Sequence, residues 1–425
     1  MRIHNPLGRR AHTNRSEAKR RSARLWLERL EDRLTPSFTL STLASFNLGN
    51  GANPLIRDSS GNFFGTTNGG LHGTVFELPA GSHTIKTLVS FNNANGDHPR
   101  GALIRDSNGN LFGITSGGGQ FGDGTVFELP AGSFVIKTLA SFNIIDLNGF
   151  NPTALIRDSS GNFFGTTQAG GTFGLGTVFE LPAGSHTIKA LASFDGSGAD
   201  GKNPSGLIRD SSGNLFGTAV SGGTSNDGTV FELPAGSSTI RALASFRGFN
   251  GTSPLAGVIR DGNGNLFGTA EVGGLFGEGA VFELPAGTHS IIALASFDRT
   301  NGERPRGALI EDSTGDFFGT TSEGTPFNDG TVFELPAGSH TIKTLATFDG
   351  ANGAKPFAGL VRDSKGNLYG TTTAGGNNGV GTVFELSPST AAADRELNDL
   401  SPTTVDSFFA SAFDHRRTRL PWMVP

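Results

Sequence analysis

The 425-residue chain contains no cysteine, two tryptophans, two methionines and a single tyrosine. Without cysteine it cannot build a disulfide framework, a cysteine-ligated zinc site or a cysteine nucleophile. Charged residues make up only 17% of the chain, below the ~25% that is usual for globular domains. No apolar run approaches the ~18 residues that a membrane-spanning helix needs, so the sequence predicts no membrane span.

The motifs of several enzyme classes are also missing. The chain has no HExxH zinc motif, no GxSxG nucleophile elbow and no Walker lysine. Its glycine-rich stretches, such as 117–119 and 170–171, are not followed by a helical pattern and so do not predict a phosphate-binding loop. The sequence therefore predicts no catalytic residue, no cofactor and no metal site.

Glycine and phenylalanine are abundant instead, with 64 and 35 residues. The glycines lack the Gly-X-Y period of collagen. Hydrophobic residues reach 35% of the chain, which is too many for a disordered protein. We therefore expect a folded protein that uses phenylalanine as its main large core residue.

The net charge of -5 is unevenly distributed. Residues 1–36 hold ten Lys/Arg and four Asp/Glu, residues 37–386 hold 19 and 29, and residues 387–425 hold four and five. A short arginine-rich N-terminus is typical of targeting or export segments. The acidic body has no basic stripe that could follow a phosphate backbone, so no nucleic-acid partner is expected.

Three sequence markers recur seven times each between residues 37 and 386. An Asp-x-x-Gly-Asn-type turn repeats at spacings of 48, 52, 52, 51, 51 and 51 residues. The turn begins at Asp58, Asp106, Asp158, Asp210, Asp261, Asp312 and Asp363. A Val-Phe-Glu-Leu segment follows the turn in every period, and a Leu-Ala-Ser-Phe segment or a near variant occurs seven times, first at 43–46, ahead of the first turn. Such a fixed period indicates a repeat architecture.

Each period predicts four short strands, named A to D, joined by turn residues. In the second period these are 102–105, 111–115, 125–129 and 135–142, all rich in β-branched and aromatic residues. The A–B and C–D turns carry Asp, Asn, Gly and Pro, which favour tight turns.

Four strands in a period of ~50 residues are typical of a propeller blade. The repeat region opens with an isolated strand D at 38–46 and ends with an isolated strand C at 382–386. We therefore predict an all-β, seven-bladed β-propeller with four strands per blade and a 3+1 closure by the N-terminal strand. The predicted domains are a basic N-terminal export segment at 1–36, the propeller at 37–386, and a polar, mostly disordered tail at 387–425. One short helix is predicted in the tail at 405–413.

The repeated polar residues favour structural roles. The Asp turn begins like a calcium loop, but the sixth and twelfth positions counted from Asp106 are Leu111 and Gly117, where Gly and Glu are required. The Glu of Val-Phe-Glu-Leu faces a basic residue of strand D in most periods, which predicts a cross-strand ion pair rather than a catalytic carboxylate. Four histidines occupy one C–D turn position, and a position repeated around a ring does not converge on one centre. These are His83, His186, His289 and His340.

The D–A and B–C loops vary between periods, and a four-stranded meander places both loop types on one face. Loops on a rigid scaffold often carry function; drift in unconstrained loops is the alternative. Acidic groups with exposed aromatic rings suit polar ligands that stack on rings, such as sugars. The candidate ligand-binding residues are Asp97, Arg100, Phe121, Asp123, Asp146, Asp200, Asp227, Phe276, Glu278, Phe327 and Asp329.

The repeat itself resembles the GloVer tandem-repeat family. The resemblance rests on the Gly-Asn-Leu-Phe-Gly-Thr-Thr and Gly-Thr-Val-Phe-Glu-Leu segments, seen best at 366–386 with Tyr369 in one Phe position, and it covers about 37–386. It implies a bacterial repeat protein with varied surface-sorting tails and no established activity, so no catalytic residue is carried over.

The N-terminus is similar to a second family pattern. The segment Arg24-Leu-Trp-Leu-Glu-Arg-Leu-Glu-Asp-Arg-Leu-Thr-Pro36 resembles the N-terminal motif of planctomycete extracellular proteins. That resemblance implies export to the cell surface or beyond. From the residues alone the segment is a basic amphipathic helix that ends at Pro36, without the apolar core of an ordinary signal peptide.

Three functions remain open on this evidence. The first is a non-catalytic extracellular or cell-surface scaffold, kelch-like in its repeat length, that binds a surface polysaccharide or a protein ligand with its D–A/B–C face. The second is a carbohydrate-active or lactonase-type propeller enzyme, which would need polar side chains of unlike blades to converge on the channel. The third is a structural component of the cell envelope. We expect the propeller to be a monomer.

Overall fold

The computed structural model describes residues 38–47, 53–196 and 200–389. These residues form seven small antiparallel sheets of four strands each, so the predicted seven-bladed β-propeller is confirmed. The described residues contain no α-helix, only 3-10 turns at Ile144–Asp146 and Gly248–Asn250. The predicted export segment and nearly all of the predicted tail lie outside the described residues.

The strands follow the chain from blade to blade. Blade 1 contains β2 (Ile56–Arg57), β3 (Phe63–Thr67), β4 (Thr74–Leu78) and β5 (Lys86–Ser90). Blade 2 contains β6 (Asp97–Arg105), β7 (Leu111–Gly117), β8 (Thr125–Leu129) and β9 (Lys137–Ser141). Blade 3 contains β10 (Phe150–Arg157), β11 (Phe163–Ala169), β12 (Thr177–Leu181) and β13 (Lys189–Ser193). Blade 4 contains β14 (Lys202–Arg209), β15 (Leu215–Ser221), β16 (Thr229–Leu233) and β17 (Arg241–Ser245).

Blades 5, 6 and 7 have a shorter or interrupted strand A, and blade 7 is completed by the N-terminal strand. Blade 5 contains β18 (Ile259–Arg260), β19 (Leu266–Ala270), β20 (Ala280–Leu284) and β21 (Ile292–Ser296). In blade 6, strand A is interrupted into β22 (Glu303–Pro305) and β23 (Ile310–Glu311), which both pair with β24 (Phe317–Glu323) before β25 (Thr331–Leu335) and β26 (Lys343–Thr347). Blade 7 contains β27 (Val361–Arg362), β28 (Leu368–Thr371), β29 (Thr382–Pro388) and, at its outer edge, β1 (Phe38–Ser45).

The ring closes through β1, which lies beside β29. The backbone N–H of Phe46 donates to the carbonyl of Gly381 over 3.0 Å. This pairing is the predicted 3+1 closure, and it explains why the repeat begins and ends out of phase in the sequence.

A pair of phenylalanines crosses every blade interface. The ring at the end of strand D packs edge-on against the strand C ring of the next blade, as in Phe46–Phe76 at 5.2 Å and Phe194–Phe231 at 5.0 Å between centroids. All seven interfaces have such a pair. The edge-to-face geometry suits the ring quadrupoles, and these rings are almost fully buried. The excess of phenylalanine in the sequence thus has a structural cause.

A glycine of strand B makes room for each strand C ring. Gly65 lies directly opposite Phe76 in the register of β3 and β4. A Cβ added at Gly65 would lie 2.7 Å from Cζ of Phe76, closer than real contacts allow. The Phe-Gly-Thr sequence of strand B therefore belongs to the same packing unit as Val-Phe-Glu-Leu.

Polar contacts also join neighbouring blades. The guanidinium at the end of strand A lies over a strand B ring of the preceding blade, as Arg209 does over Phe164 at 5.3 Å. The repeated histidine bonds to a strand D carbonyl of the preceding blade, as in His83 Nδ1 to Leu43 O at 2.7 Å. The histidines thus link blades along the outer side of the ring.

The interpretation of the repeated Asp as a turn residue is confirmed. Asp58 Oδ1 accepts hydrogen bonds from the backbone N–H groups of Ser60 and Asn62, both over 2.9 Å. Asn62 in turn accepts from the N–H of Ala80 in the C–D turn. The predicted Glu–Lys pair occurs too, for example between Lys86 and Glu77 at 3.2 Å.

Strand A begins earlier than predicted in blades 2, 3 and 4. The start predicted for strand A of blade 2, at residue 102, is wrong, because β6 starts at Asp97 and includes Arg100. The sequence did not reveal this extension because a proline follows the second residue of the strand, and proline usually marks a strand boundary.

We expect Phe46→Ala to lower the free energy of unfolding by about 3–5 kcal/mol, because it removes a buried ring from the closing interface. Urea unfolding of the full chain measures this loss. Phe134→Ala is the control, since that ring is 72% exposed in a C–D turn. A change no larger than that of the control would contradict closure by the N-terminal strand.

We also expect the A–B turns to make stability sensitive to acid. Burial alone would raise the pKa of Asp210, but the hydrogen bonds from Asn214 and Ser212 outweigh it and lower that pKa. A lowered folded-state pKa stabilises the fold above the ordinary value near ~3.9, and this contribution is lost as the pH falls below it. Asp210→Asn should therefore reduce the loss of melting temperature between about pH 5 and pH 2. Ser238→Ala, at an exposed C–D turn residue without an ionisable group, is the control and should leave that slope unchanged.

Candidate ligand-binding face

The D–A and B–C loops meet on one face of the ring, here called the loop face. Within a blade, the N–H of Gly119 in the B–C loop donates to Asn93 O in the D–A loop over 2.7 Å. Between blades, the N–H of Asn151 donates to Asp123 O of the preceding B–C loop over 3.2 Å. Each such D–A loop is therefore held between two B–C loops, which links the loop face from blade to blade within the described residues.

The link between blades uses an unusual backbone conformation. The residue before the strand A proline has a positive φ of 52° to 57° in blades 2 to 7, a region costly for side chains other than glycine. These residues are His98, Asn151, Asn203, Ser253, Arg304 and Lys355. Each N–H donates to the carbonyl of one repeated B–C position, held by His72, Asp123, Leu175, Asp227, Glu278 and Asp329. Four candidate acids therefore occupy a single repeat position.

Several candidate carboxylates are already engaged within the protein. Asp123 Oδ2 accepts from the N–H of Ile144 over 2.9 Å, and Asp146 Oδ2 accepts from Asn143 Nδ2 over 3.0 Å. Glu278 Oε1 lies 2.9 Å from Arg299 Nε. These groups organise the loops in the free protein, whatever they contact in a complex.

Asp200 is a buried loop cap. Its carboxylate accepts from the N–H groups of Asp195, over 2.8 Å, and Gly196, over 3.2 Å. Burial is the main reason that the pKa of Asp200 is raised. Five other D–A loops place an asparagine in this position, at Asn95, Asn148, Asn250, Asn301 and Asn352. Aligning these loops by their Asn/Asp-Gly pair would have found the role from sequence.

The candidate phenylalanines are exposed at one repeated B–C position. Phe121 is 47% exposed and Phe276 and Phe327 are each 57% exposed, as is Phe173 of blade 3. Of the 14 exposed large hydrophobic residues in the described ranges, 11 lie on the loop face, so apolar exposure is concentrated there. The sequence analysis missed Ile145 and Phe249, which lie in variable D–A loops without a repeat partner.

The central channel is lined in all seven blades by strand A or by the residues next to it and has a cavity volume of about 460 Å³. Ten of its 24 lining residues are glycine or alanine, and most of the others are aliphatic. At the loop-side end, its polar lining residues are Thr153, Ser205 and Arg306. Thr153 donates to Pro204 O over 3.0 Å and Ser205 donates to Leu255 O, so both hydroxyls bond to the next blade. Among the described residues, no group of three or more His, Asp or Glu could hold a metal ion.

Comparison with known proteins identifies the repeat. The profile of the Gloeobacter/Verrucomicrobia repeat matches residues 33–210 and 151–384. The chain belongs to this repeat family. The GloVer resemblance seen in the sequence is thereby confirmed. No curated protein matches the chain.

Solved structures share the fold of the GloVer propeller at low sequence identity. The extracellular domain of a putative one-component system from B. thetaiotaomicron matches with a TM-score of 0.55 and 10% identity, over 82% of this chain and 39% of that one. This chain therefore spans well under half of that protein. YCF48 from Cyanidioschyzon merolae matches with a TM-score of 0.54 and 12% identity, over 82% and 99% of the two chains. A gluconolactonase from Xanthomonas campestris, at 0.45 and 13% over 82% and 89%, is too distant to bear on function.

The described GloVer repeats include no helix that is long and apolar enough to cross a membrane.

We expect Asp200→Asn to preserve the fold and to raise its melting temperature at neutral pH. The raised folded-state pKa means that ionised Asp200 costs stability as the pH rises above the ordinary value, and the amide removes this charge while keeping an acceptor. Thermal unfolding between pH 4 and pH 8 measures the effect. Asp200→Ala should instead destabilise the protein at every pH, since two N–H groups lose their acceptor. A lower melting temperature for Asp200→Asn would contradict the cap.

Proposed function

We propose that the chain is an exported binding scaffold at the cell surface that contacts its ligand with the loop face. The observation that carries this proposal is the concentration of exposed aromatic and aliphatic side chains on that face. Exposed apolar groups gathered on one side of a soluble fold commonly mark an interaction site. The extracellular neighbour in fold supports the proposed location.

The ligand class that fits this face best is a polysaccharide. Phe121 and Phe276 present their rings from loops that are bonded to their neighbours on both sides, so little order has to be gained on binding. Rigid, amphipathic contact surfaces of this kind favour flat sugar rings, and the intervening amides and hydroxyls can bond to sugar hydroxyls.

Catalysis in the channel receives less support. A lactonase-type or carbohydrate-active enzyme needs several free polar groups that converge on the substrate. Of the polar groups that line the described channel, Thr153 and Ser205 already donate to backbone carbonyls, and Arg306 lies 2.5 Å from Glu271. The lining therefore favours binding at the rim over chemistry at the centre.

The test is glycan-array binding by the full chain and by the double variant Phe121→Ser/Phe276→Ser. Serine is chosen because blade 4 carries Ser225 at this repeat position. We expect affinity to fall about tenfold or more, as is typical when an aromatic anchor is removed. The control is Phe134→Ser, whose exposed ring lies in a C–D turn and whose position is held by Ser238 in blade 4.

Equal loss in the test and control variants would contradict the assignment to the loop face. Absence of binding to every glycan would contradict the polysaccharide class. Concentration-dependent assembly of the full chain in sedimentation experiments would then favour a structural envelope component.

A further inference from the structure

Three arginines of the described ranges are partly buried, namely Arg100, Arg304 and Arg306, and among them only the guanidinium of Arg100 has no partner. Arg304 and Arg306 form ion pairs with Glu323 and Glu271. Most of the exposed arginines have partners too: Arg105, Arg299 and Arg362 form ion pairs, and Arg57, Arg157, Arg209 and Arg260 lie over aromatic rings. Arg100 makes neither kind of contact, although burial lowers its pKa. Removing a charge from water without a partner is costly. The Arg100 guanidinium is therefore suited to bind an anion that the described residues do not supply.

At the junction of blades 5 and 6, the protein itself supplies an anion to the arginine that corresponds to Arg100. Arg306 occupies the position of Arg100 in the repeat, one residue after the strand A proline. Its Nη2 lies 2.5 Å from Oε1 of Glu271 in the preceding blade, and its Cζ lies 4.7 Å from the ring centroid of Phe357. An internal carboxylate therefore fills the anion position beside Arg306.

The corresponding carboxylate is missing beside Arg100. Glu271 follows the Gly-Thr-Ala segment of strand B, and the residue that follows the matching Gly-Thr-Thr segment of blade 1 is Asn68. An amide thus replaces the carboxylate at the junction of blades 1 and 2, and it leaves the charge of Arg100 uncompensated.

Asn68 has an amide oxygen without a partner at this junction. Its Oδ1 is buried and makes no hydrogen bond among the described residues. The neighbouring ionisable groups contact one another, since His72 Nδ1 lies 3.2 Å and His98 Nδ1 2.8 Å from Asp97 Oδ1. Unsatisfied buried polar groups are few in folded proteins, and Asn68 holds the position that a carboxylate occupies at Arg306, which favours a binding site at the junction.

We propose that the junction of blades 1 and 2, at the loop-side end of the channel, binds a carboxylate of an acidic polysaccharide through Arg100. This inference rests on the proposed function and specifies its ligand. The guanidinium presents a planar fork of donors that matches a carboxylate. Asn68 and His72 supply further polar contacts from the B–C loop of blade 1, and Phe121 offers a ring from the B–C loop of blade 2.

The experiment titrates the full chain with galacturonate and with its methyl ester, which differ in charge but not in ring. We expect the acid to bind and the ester to bind about tenfold more weakly or not at all, since one charge-assisted contact is lost. Arg100→Thr, which copies Thr153 of blade 3, should abolish the preference for the acid. Arg247→Ser is the control, because it removes an exposed arginine of the loop face.

A second variant tests the internal carboxylate directly. Glu271→Asn reproduces the blade 1–2 arrangement at Arg306, and we expect the number of galacturonate sites to rise from one to two. Unchanged stoichiometry with preserved folding would contradict the equivalence of the two junctions and overturn the inference.

Titrations with polygalacturonate and its methyl ester separate this inference from the proposed function. Equal binding of both polymers, unaffected by Arg100→Thr but lost in Phe121→Ser/Phe276→Ser, would overturn the carboxylate site and leave the scaffold function standing. Binding of galacturonate at Arg100 without binding of any polymer would support the anion site and contradict the polysaccharide function. Binding of neither polymer nor of galacturonate would overturn the carboxylate site, and the glycan array then decides the scaffold function.

Discussion

The edge-to-face pair of phenylalanines at each blade interface is the contact on which the ring depends. A blade cannot bury the two faces of its sheet alone, so each sheet is stable only against its neighbours. The pair Phe348–Phe384, at 5.0 Å between centroids, joins blade 6 to blade 7 with the same geometry as the pairs inside the ring. The last pair, Phe46–Phe76, requires the N-terminal strand, so the interface between blades 7 and 1 cannot be completed until this strand pairs with the last blade.

This core constrains the repeat and leaves the loop face comparatively free. The Phe ring of strand C needs a glycine opposite, and the A–B turn needs an Asp that caps its own backbone, so these residues recur in every blade. On the loop face, only the backbone links and the Asn/Asp cap have to be kept. The B–C position held by Phe121 can therefore be Ser225 or Asn378 in other blades without loss of the fold.

The sequence predicted the blade number, the strand order and the closure because each follows from residues repeated at fixed spacing. It also placed the variable loops on one face correctly. It did not separate buried caps from surface groups, since Asp200 and Asp146 look alike in the chain but differ in burial. The role of His83 was not predicted either. Its partner is the backbone carbonyl of Leu43, which lies 40 residues earlier in the chain and belongs to strand D of blade 7.

In a repeat protein, the residues that break the internal pattern carry the most information about function, provided that the structure does not need the change. Glu271 and Arg306 satisfy each other and so require no ligand. Asn68 and Arg100 occupy the same positions and do not, because an amide cannot neutralise a guanidinium. Since an uncharged residue such as Thr153 is accepted at the Arg100 position in the neighbouring blade, the fold does not demand this arginine. Its partly buried charge costs stability in the free protein, and an anion supplied from solution is the contact that offsets that cost.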